Sequence, residues 1–443
     1  MRAPVRLAAA LVVFALAVRV VAAVASFGTP LAFDPRDYDR YARSIATGHG
    51  YPHPFAPYGG STAYRPPGFP ALLGAVYAVR GGAHPPPGWR VYVGGYQPDP
   101  HQADAGRVAQ ALVGTAVVAL TGLVAFQLWG RRAGIAALAL ATVYPPLVIV
   151  GVSLFSEPLF IAFVLGAVAA ALRTRAGPVH ALRWAVLSGV FAGLAWLTRS
   201  NGFTVLPALC LLVWTARPRL SRAALAMPAV LLAGAVLVVA PWTVRNAVAL
   251  HAFVPVSTEA GYTLAGTYNA TSARSQAYPA GWIPAQDDPH NAALIRRATS
   301  DPGLASTMLR SSLRYVRAHP SYVAKVAYCN TMRMLYLERL GCGRSGFGKR
   351  NFLNETGISG GVADLGIAGF AVLVLLAIAG GATRAARAAP ATLWLVPLFL
   401  ATAVLVVSGN RIRAPIEPFL IMLGGLALAN AYGELRRVHS RRR

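Results

Sequence analysis

Apolar stretches about 20 residues long recur along this chain from its beginning to near its end. A helix of that length crosses the ~30 Å hydrocarbon layer of a bilayer. Hydrocarbon admits only structures that satisfy their own backbone polar groups. The stretches lack the two-residue alternation of a transmembrane barrel. Composition agrees: 56% of the 443 residues are hydrophobic and 13% are charged, against roughly 25% charged in a soluble domain. The expected fold class is therefore an all-α polytopic membrane protein. Ten spans are expected, at about 6–27, 107–129, 133–150, 153–172, 183–198, 202–216, 222–244, 363–381, 391–408 and 414–432. The first run contains Arg19 and is long, so it reads as an uncleaved span rather than a signal peptide.

The net charge is +26, from 41 basic and 15 acidic residues. Such a balance suggests nucleic acid, but the basic residues punctuate span ends, so no nucleic-acid partner is expected. Arg131 and Arg132, Arg173, Arg175 and Arg183, Arg217, Arg219 and Arg222, and Arg384 and Arg387 fall in alternate connections, and both termini are basic. The positive-inside rule makes that side cytoplasmic. The expected location is the plasma membrane, with both termini cytoplasmic, including a basic tail at 433–443. A single membrane domain, 1–443, then carries two large extracytoplasmic loops, 28–106 and 245–362. Helical patterns occupy about 35–47 and 67–80 in the first loop, and 289–299, 303–318 and 321–339 in the second. Gly189-x-x-x-Gly193 reads as a helix-packing motif.

The first loop holds the chemistry. Asp34, Asp37 and Asp39 follow the first span directly, and Arg65-Pro66-Pro67 closes the segment. Arg65, Arg199, Arg245, Arg411 and Arg413 all fall at outer span ends, against the topological bias. Arginine near hydrocarbon needs a partner, and a phosphate bound in bidentate fashion suits it best. Snorkelling to phospholipid is the plainer alternative for any one of them. Asp34 is the candidate base that takes a proton from an acceptor hydroxyl, while arginines stabilise a leaving phosphate. Asp34-Pro35 also has the pattern of a helix cap. Asp37 and Tyr38 share its helix face. Glu157 opens the fourth span, where an acid is functional by default or stands beside a capping Ser156. Asn246, next to Arg245, completes the candidate set.

No nucleotide-binding fingerprint, HExxH or GxSxG occurs, which fits a donor carried on lipid. No cofactor is implied. His49 and His53 lie near the acidic helix, and a divalent metal is left open, with no ligand set assigned. Cys210 reads as a core residue; Cys329 and Cys342 are either a disulfide or free thiols.

The ordered segments FDPRDYDRYARSIATGHGYP, YRPPGFPALL, YPPLVIVGVSLFSEPLF, GLAWLTRSNG, APWTVRNAVALHAFVPVSTEAGYTLAGTYNA, RAHPSYV and NRIRAPIEPFL together resemble the GT-C class of integral-membrane glycosyltransferases. They are most similar to glycosyltransferase family 39, the bacterial branch of the protein O-mannosyltransferases and aminoarabinose transferases. The resemblance implies a polyprenyl-phosphate sugar donor, an inverting single displacement and a site facing away from the cytoplasm. It implies Asp34, four residues before Tyr38, as catalytic residue; Arg65 before the double proline as donor-phosphate ligand; and Glu157 at the later span. It also implies an arginine near the last span, either Arg411 or Arg413. Many members have an acidic pair where Pro35 follows Asp34 here, and many carry further spans or a soluble C-terminal domain. The expected partners are thus the lipid-linked donor, membrane lipid, and an acceptor that is a glycan, a lipid or a protein. The competing reading is a transporter or flippase of lipid-linked sugars. Such a protein places polar groups at mid-membrane, often in inverted repeats, whereas here only Arg19 lies at depth and no repeat is visible.

Overall fold

The computed structural model describes residues 2–51, 61–84, 98–177, 179–215, 221–343, 360–407 and 409–441. Over these residues the protein is α-helical, a polytopic membrane protein. Seven helices are long and apolar enough to cross a membrane, and up to eight if one bent pair is counted. They include α1 (Arg2–Ala25), α4 (Pro100–Trp129), α7 (Glu157–Ala176), α8 (Ala181–Thr198) and α10 (Arg222–Leu250). Gly360–Gly381 and Glu417–Arg441 supply the other two. The bent pair is α5 (Arg131–Val143) and α6 (Pro145–Val152), which meet at 56°. The break falls at Tyr144-Pro145-Pro146, where proline removes a donor and drives the preceding residue out of helix.

Ten spans were expected; at two of them the apolar helix is short and broken. Residues 202–216 form a short 3-10 turn and α9 (Val205–Val213), and 391–408 form helical pieces at Ala391–Trp394, Leu395–Ala401 and Thr402–Leu405. Nine helical residues in α9 rise only ~14 Å. Pro207 and Pro397 interrupt both apolar runs, and the two short helices pack on one another.

α7 is the most enclosed span, with α4 and α8 against it. α8 and α10 meet at the small-residue motif: a Cβ on Gly189 would lie 2.0 Å from the Leu231 carbonyl oxygen. Arg19 is fully buried and donates to the carbonyls of Ala15 (3.3 Å), Ala141 (3.2 Å) and Thr142 (3.3 Å). It thereby satisfies the free carbonyls where α5 ends.

Two short helices follow α1: α2 (Asp34–Ala46) and α3 (Gly68–Arg80), packed together. α2 is strongly amphipathic and buries Tyr38, Tyr41 and Ala42. The segment after α10 adds α11 (Glu259–Thr267) and the helices Pro289–Arg297, Asp301–Ala318 and Pro320–Met334. Cys329 and Cys342, both buried, form a disulfide. Gly189-x-x-x-Gly193 and this disulfide show how local composition sets the scaffold; the site depends on longer-range contacts.

Candidate active site

The site forms where six chain segments converge: the start of α2, the loop before α3, the α6–α7 junction, the end of α8, the start of α11 and the short helix Asn410–Arg413. Asp34 is the first residue of α2, and Phe33, with φ +52°, occupies the capping position. Neither Phe33 nor Ser156, which precedes α7, makes a side-chain cap hydrogen bond. The capping readings of Asp34 and Ser156 therefore do not describe this structure. The positive φ at Phe33 is a conformation that non-glycine residues rarely adopt.

Asp34 lies between two guanidinium groups. Its Oδ1 accepts from Arg65 Nη2 at 2.5 Å and its Oδ2 from Arg411 Nη2 at 2.5 Å. Arg65 is held by three carboxylates, since it also donates to Asp37 Oδ2 at 2.8 Å and Glu259 Oε1 at 2.7 Å. Arg411 reaches on to Glu157 Oε1 at 3.4 Å, and Arg199 pairs with the same oxygen at 2.7 Å. Arg199 also donates to Ser156 Oγ at 3.0 Å, and that hydroxyl lies 3.1 Å from the Tyr38 hydroxyl. Three arginines thus interleave with four carboxylates.

Close backbone approach brings Arg65 and Arg199 to one place. A Cβ on Gly68, at the start of α3, would sit 2.8 Å from Thr198 Oγ1. Glycine therefore lets the Arg-Pro-Pro turn lie against the end of α8. Tyr51 donates from its hydroxyl to the Arg65 carbonyl at 2.8 Å, and the Arg65 guanidinium lies 4.7 Å from the Tyr64 ring centre.

The two acids of α2 are pushed in opposite directions. Burial would raise the Asp34 pKa, but Arg411 and Arg65 outweigh it and hold the carboxyl well below the usual carboxylate range. For Asp37 burial prevails over Arg65, with the Asp34 charge adding to it, and the pKa rises. Burial likewise opposes the charge on Arg65, but Asp34, Tyr64, Asp37 and Glu259 keep it firmly protonated. Burial pushes the Tyr38 phenol up, so it serves as a neutral hydrogen-bonding group. Paired acids with divergent pKa values mark sites of proton transfer.

Three of the expected site residues face elsewhere. Arg245 donates to the Thr62 carbonyl at 2.7 Å and lies 4.8 Å from the Trp242 ring centre. Asn246 is buried and donates to the Val254 carbonyl at 2.9 Å. Arg413 pairs with buried Glu417 at 2.7 Å, donates to the Met334 carbonyl, and stacks 3.4 Å from the Phe370 ring centre. Of the two arginines near the last span, it is Arg411 that turns to Asp34. Five arginines were expected to gather and three do; Arg245 and Arg413 tie backbone and buried acid together.

Sequence reasoning missed Glu259. Its carboxylate joins Arg65 to the Ser200 hydroxyl. The signal was present: Thr258-Glu259 opens a helix, and an acid there is ordinarily read as complementing the helix dipole. Among the described residues no group of three or more His, Cys, Asp or Glu side chains is placed to hold a metal ion. His49 lies 2.9 Å from the Thr47 hydroxyl, and His53 lies outside the described residues.

Residues 62–256 match the family model for dolichyl-phosphate-mannose-protein mannosyltransferase. No curated protein matches the chain by sequence. By fold, the crystal structure of the apo oligosaccharyltransferase from Archaeoglobus fulgidus aligns at TM-score 0.56. Identity is 14%, over 99% of this chain and 52% of that one. The same archaeal enzyme, AglB, in complex with an inhibitory peptide and a dolichol-phosphate aligns at TM-score 0.54. Identity there is 13%, over 98% of this chain and 51% of that one. The chain thus spans about half the length of the archaeal enzyme. Matched to a mannosyltransferase family over 62–256 and folded along its length like an oligosaccharyltransferase, the chain resembles the GT-C class of integral-membrane glycosyltransferases, as its motifs implied.

Proposed function

We propose that this protein transfers a sugar from a polyprenyl-phosphate donor to an acceptor hydroxyl at the outer face of the plasma membrane. The observation that carries this reading is the carboxylate of Asp34 held between Arg65 and Arg411. The acceptor oxygen attacks the anomeric carbon, the bond from that carbon to the phosphate oxygen breaks, and Asp34 receives the hydroxyl proton. Anomeric configuration inverts in a single displacement. The departing lipid phosphate gains charge, which Arg65, Arg411 and Arg199 neutralise.

The same ion pairs explain how the base becomes active. With both arginines on Asp34, the carboxylate is a weak base. A donor phosphate competes for those guanidinium groups, and each N–H it takes from Asp34 raises the basicity of the carboxylate. Donor binding and base activation are therefore one event. Asp37 and Glu259 keep Arg65 oriented, and Glu157 does the same for Arg199 and Arg411.

Three observations support the outward orientation. Arginines crowd the opposite connections. The Arg65–Glu259 and Asp34–Arg411 ion pairs draw 28–106, 245–362 and the turn before the last span to one side of the membrane. The Cys329–Cys342 disulfide lies within 245–362, as befits an oxidising compartment. The segments 28–106 and 245–362 are then the outer loops that build the site, and 433–443 is a cytoplasmic tail. The archaeal AglB structure was solved with a dolichol-phosphate bound, and a lipid phosphate is the donor chemistry these arginines suit.

The deciding experiment incubates purified protein with a polyprenyl-phosphate-linked sugar and an envelope-glycan acceptor mixture, following release of polyprenyl phosphate. Release by wild type, and release at least ~10²-fold slower by Asp34→Asn, is the expected result. Equal release by both removes Asp34 from the mechanism.

A further inference from the structure

Asp301 lies outside the ion-pair cluster and is almost fully buried, with 2% of its surface exposed. It opens the Asp301–Ala318 helix, yet its carboxylate accepts from groups of two other segments. Oδ2 accepts from the Thr62 hydroxyl at 2.8 Å, the Ala63 amide at 3.1 Å and the Thr258 hydroxyl at 2.9 Å. Oδ1 accepts from the Tyr262 hydroxyl at 2.8 Å. Thr62 and Ala63 stand just before Arg65; Thr258 and Tyr262 flank Glu259. The two segments also meet directly, since the Thr258 amide donates to the Ala63 carbonyl at 2.9 Å.

We propose that Asp301 is the positioning residue that sets Arg65 against Glu259 and so fixes the donor-phosphate site, an inference that rests on the function proposed above. A buried carboxylate with this many donors is rigid, because each donor loses its partner if the acid moves. The surroundings are built to bring it there. A Cβ on Gly261 would lie 2.2 Å from the Ala305 carbonyl oxygen, so only glycine lets α11 close against the Asp301–Ala318 helix. Tyr64 and Tyr262 meet edge to face at 4.9 Å, bracketing the clamp on its apolar side. Arg65 therefore enters the site from a backbone held on both flanks, by Tyr51 at its own carbonyl and by Asp301 two to three residues earlier. Two segments distant in sequence share one acid, and guanidinium placement follows from it.

The test is a double-mutant cycle read by binding of a polyprenyl monophosphate to the purified full chain. Arg65→Ala and Asp301→Ala are each expected to weaken binding about 10-fold or more. In the Arg65→Ala background, Asp301→Ala is expected to add nothing, because its effect passes through Arg65. Losses that add in full overturn the proposal, as they would mark a general loosening. So does wild-type affinity in Asp301→Ala. Should Asp301→Ala fail to fold, the pair Thr258→Val and Tyr262→Phe removes two of the hydrogen bonds and runs the same cycle.

Hydrogen exchange separates the clamp from the proposed function. Peptides covering 61–66 and 256–262 should lose protection in Asp301→Ala whether or not a polyprenyl phosphate binds. Unchanged protection overturns the clamp alone. Absent binding by wild type, or binding indifferent to Arg65→Ala, overturns the donor assignment and with it the positioning role.

Discussion

Asp34 and Arg411 stand 377 positions apart in sequence, and Asp34 Oδ2 and Arg411 Nη2 lie 2.5 Å apart. This pair joins the first helix after α1 to the turn before the last span. It closes the site across almost the whole chain.

The Asp34 pair leads to a direct expectation for catalysis. Asp34→Asn keeps the shape of the side chain and removes its capacity to take a proton. Turnover should fall by about 10²–10⁴-fold, while the donor stays bound. Steady-state rates with saturating donor, alongside donor binding, measure both. A rate within a few-fold of wild type contradicts the role given to Asp34.

Arg411 and Arg413, two residues apart, should behave differently. Arg411 has 13% of its side chain exposed and serves Asp34 and Glu157, so Arg411→Lys should weaken donor binding ~10-fold. Lysine cannot span two carboxylates with a planar fork. Arg413 is paired in the interior with Glu417. Arg413→Ala should destabilise the fold by ~3–5 kcal/mol, as loss of one partner of a buried pair does. Thermal unfolding in detergent and donor titration distinguish the two; matching phenotypes would contradict the division of roles.

Stability should depend on pH through Asp34. Its folded pKa is depressed below the unfolded value by Arg411 and Arg65, against the opposing effect of burial. A depressed carboxyl contributes stability above about pH 4 and loses it as pH falls toward the folded value. Asp34→Asn should therefore lower stability at neutral pH by ~1–3 kcal/mol and flatten the decline of Tm on the acid side. Asp37 has the opposite sign: burial raises its pKa, so its ionised form opposes folding once pH rises above about 4. Tm measured from pH 3 to pH 7 for wild type and both Asn variants tests this, and parallel curves would sink it.

The chain has three cysteines, and two of them are joined. Denatured protein without reductant should take up one maleimide, at Cys210; with reductant it should take up three. Cys329→Ser should cost about 2–4 kcal/mol, because the bridge closes a 13-residue separation in the unfolded chain. Three labels without reductant would show the thiols to be free.

Much of the architecture can be read without coordinates. Apolar run length announces α1, α4, α7, α8, α10 and the last two spans, since hydrocarbon imposes a minimum length. Prolines announce the breaks at Tyr144-Pro145 and between the helices of the second loop. In runs 202–216 and 391–408 the sequence does not show where the helix breaks, because hydropathy counts apolar residues, not helical continuity. There the helices are short and broken, and they pack on one another.

Sequence alone determined the class of fold, the presence of Asp34, Asp37 and Glu157 at the start of helices, and a supply of arginines at span ends. Only tertiary structure decided which arginines face those acids. Arg411 turns to Asp34 and Arg413 to Glu417, and Arg245 goes to a backbone carbonyl. It alone recruited Glu259 and Asp301, two acids that look like ordinary helix starts. The physical reason is range. Hydrophobicity and helix capping act between near neighbours and leave a periodic trace, whereas an ion pair depends on where distant backbones finally pack.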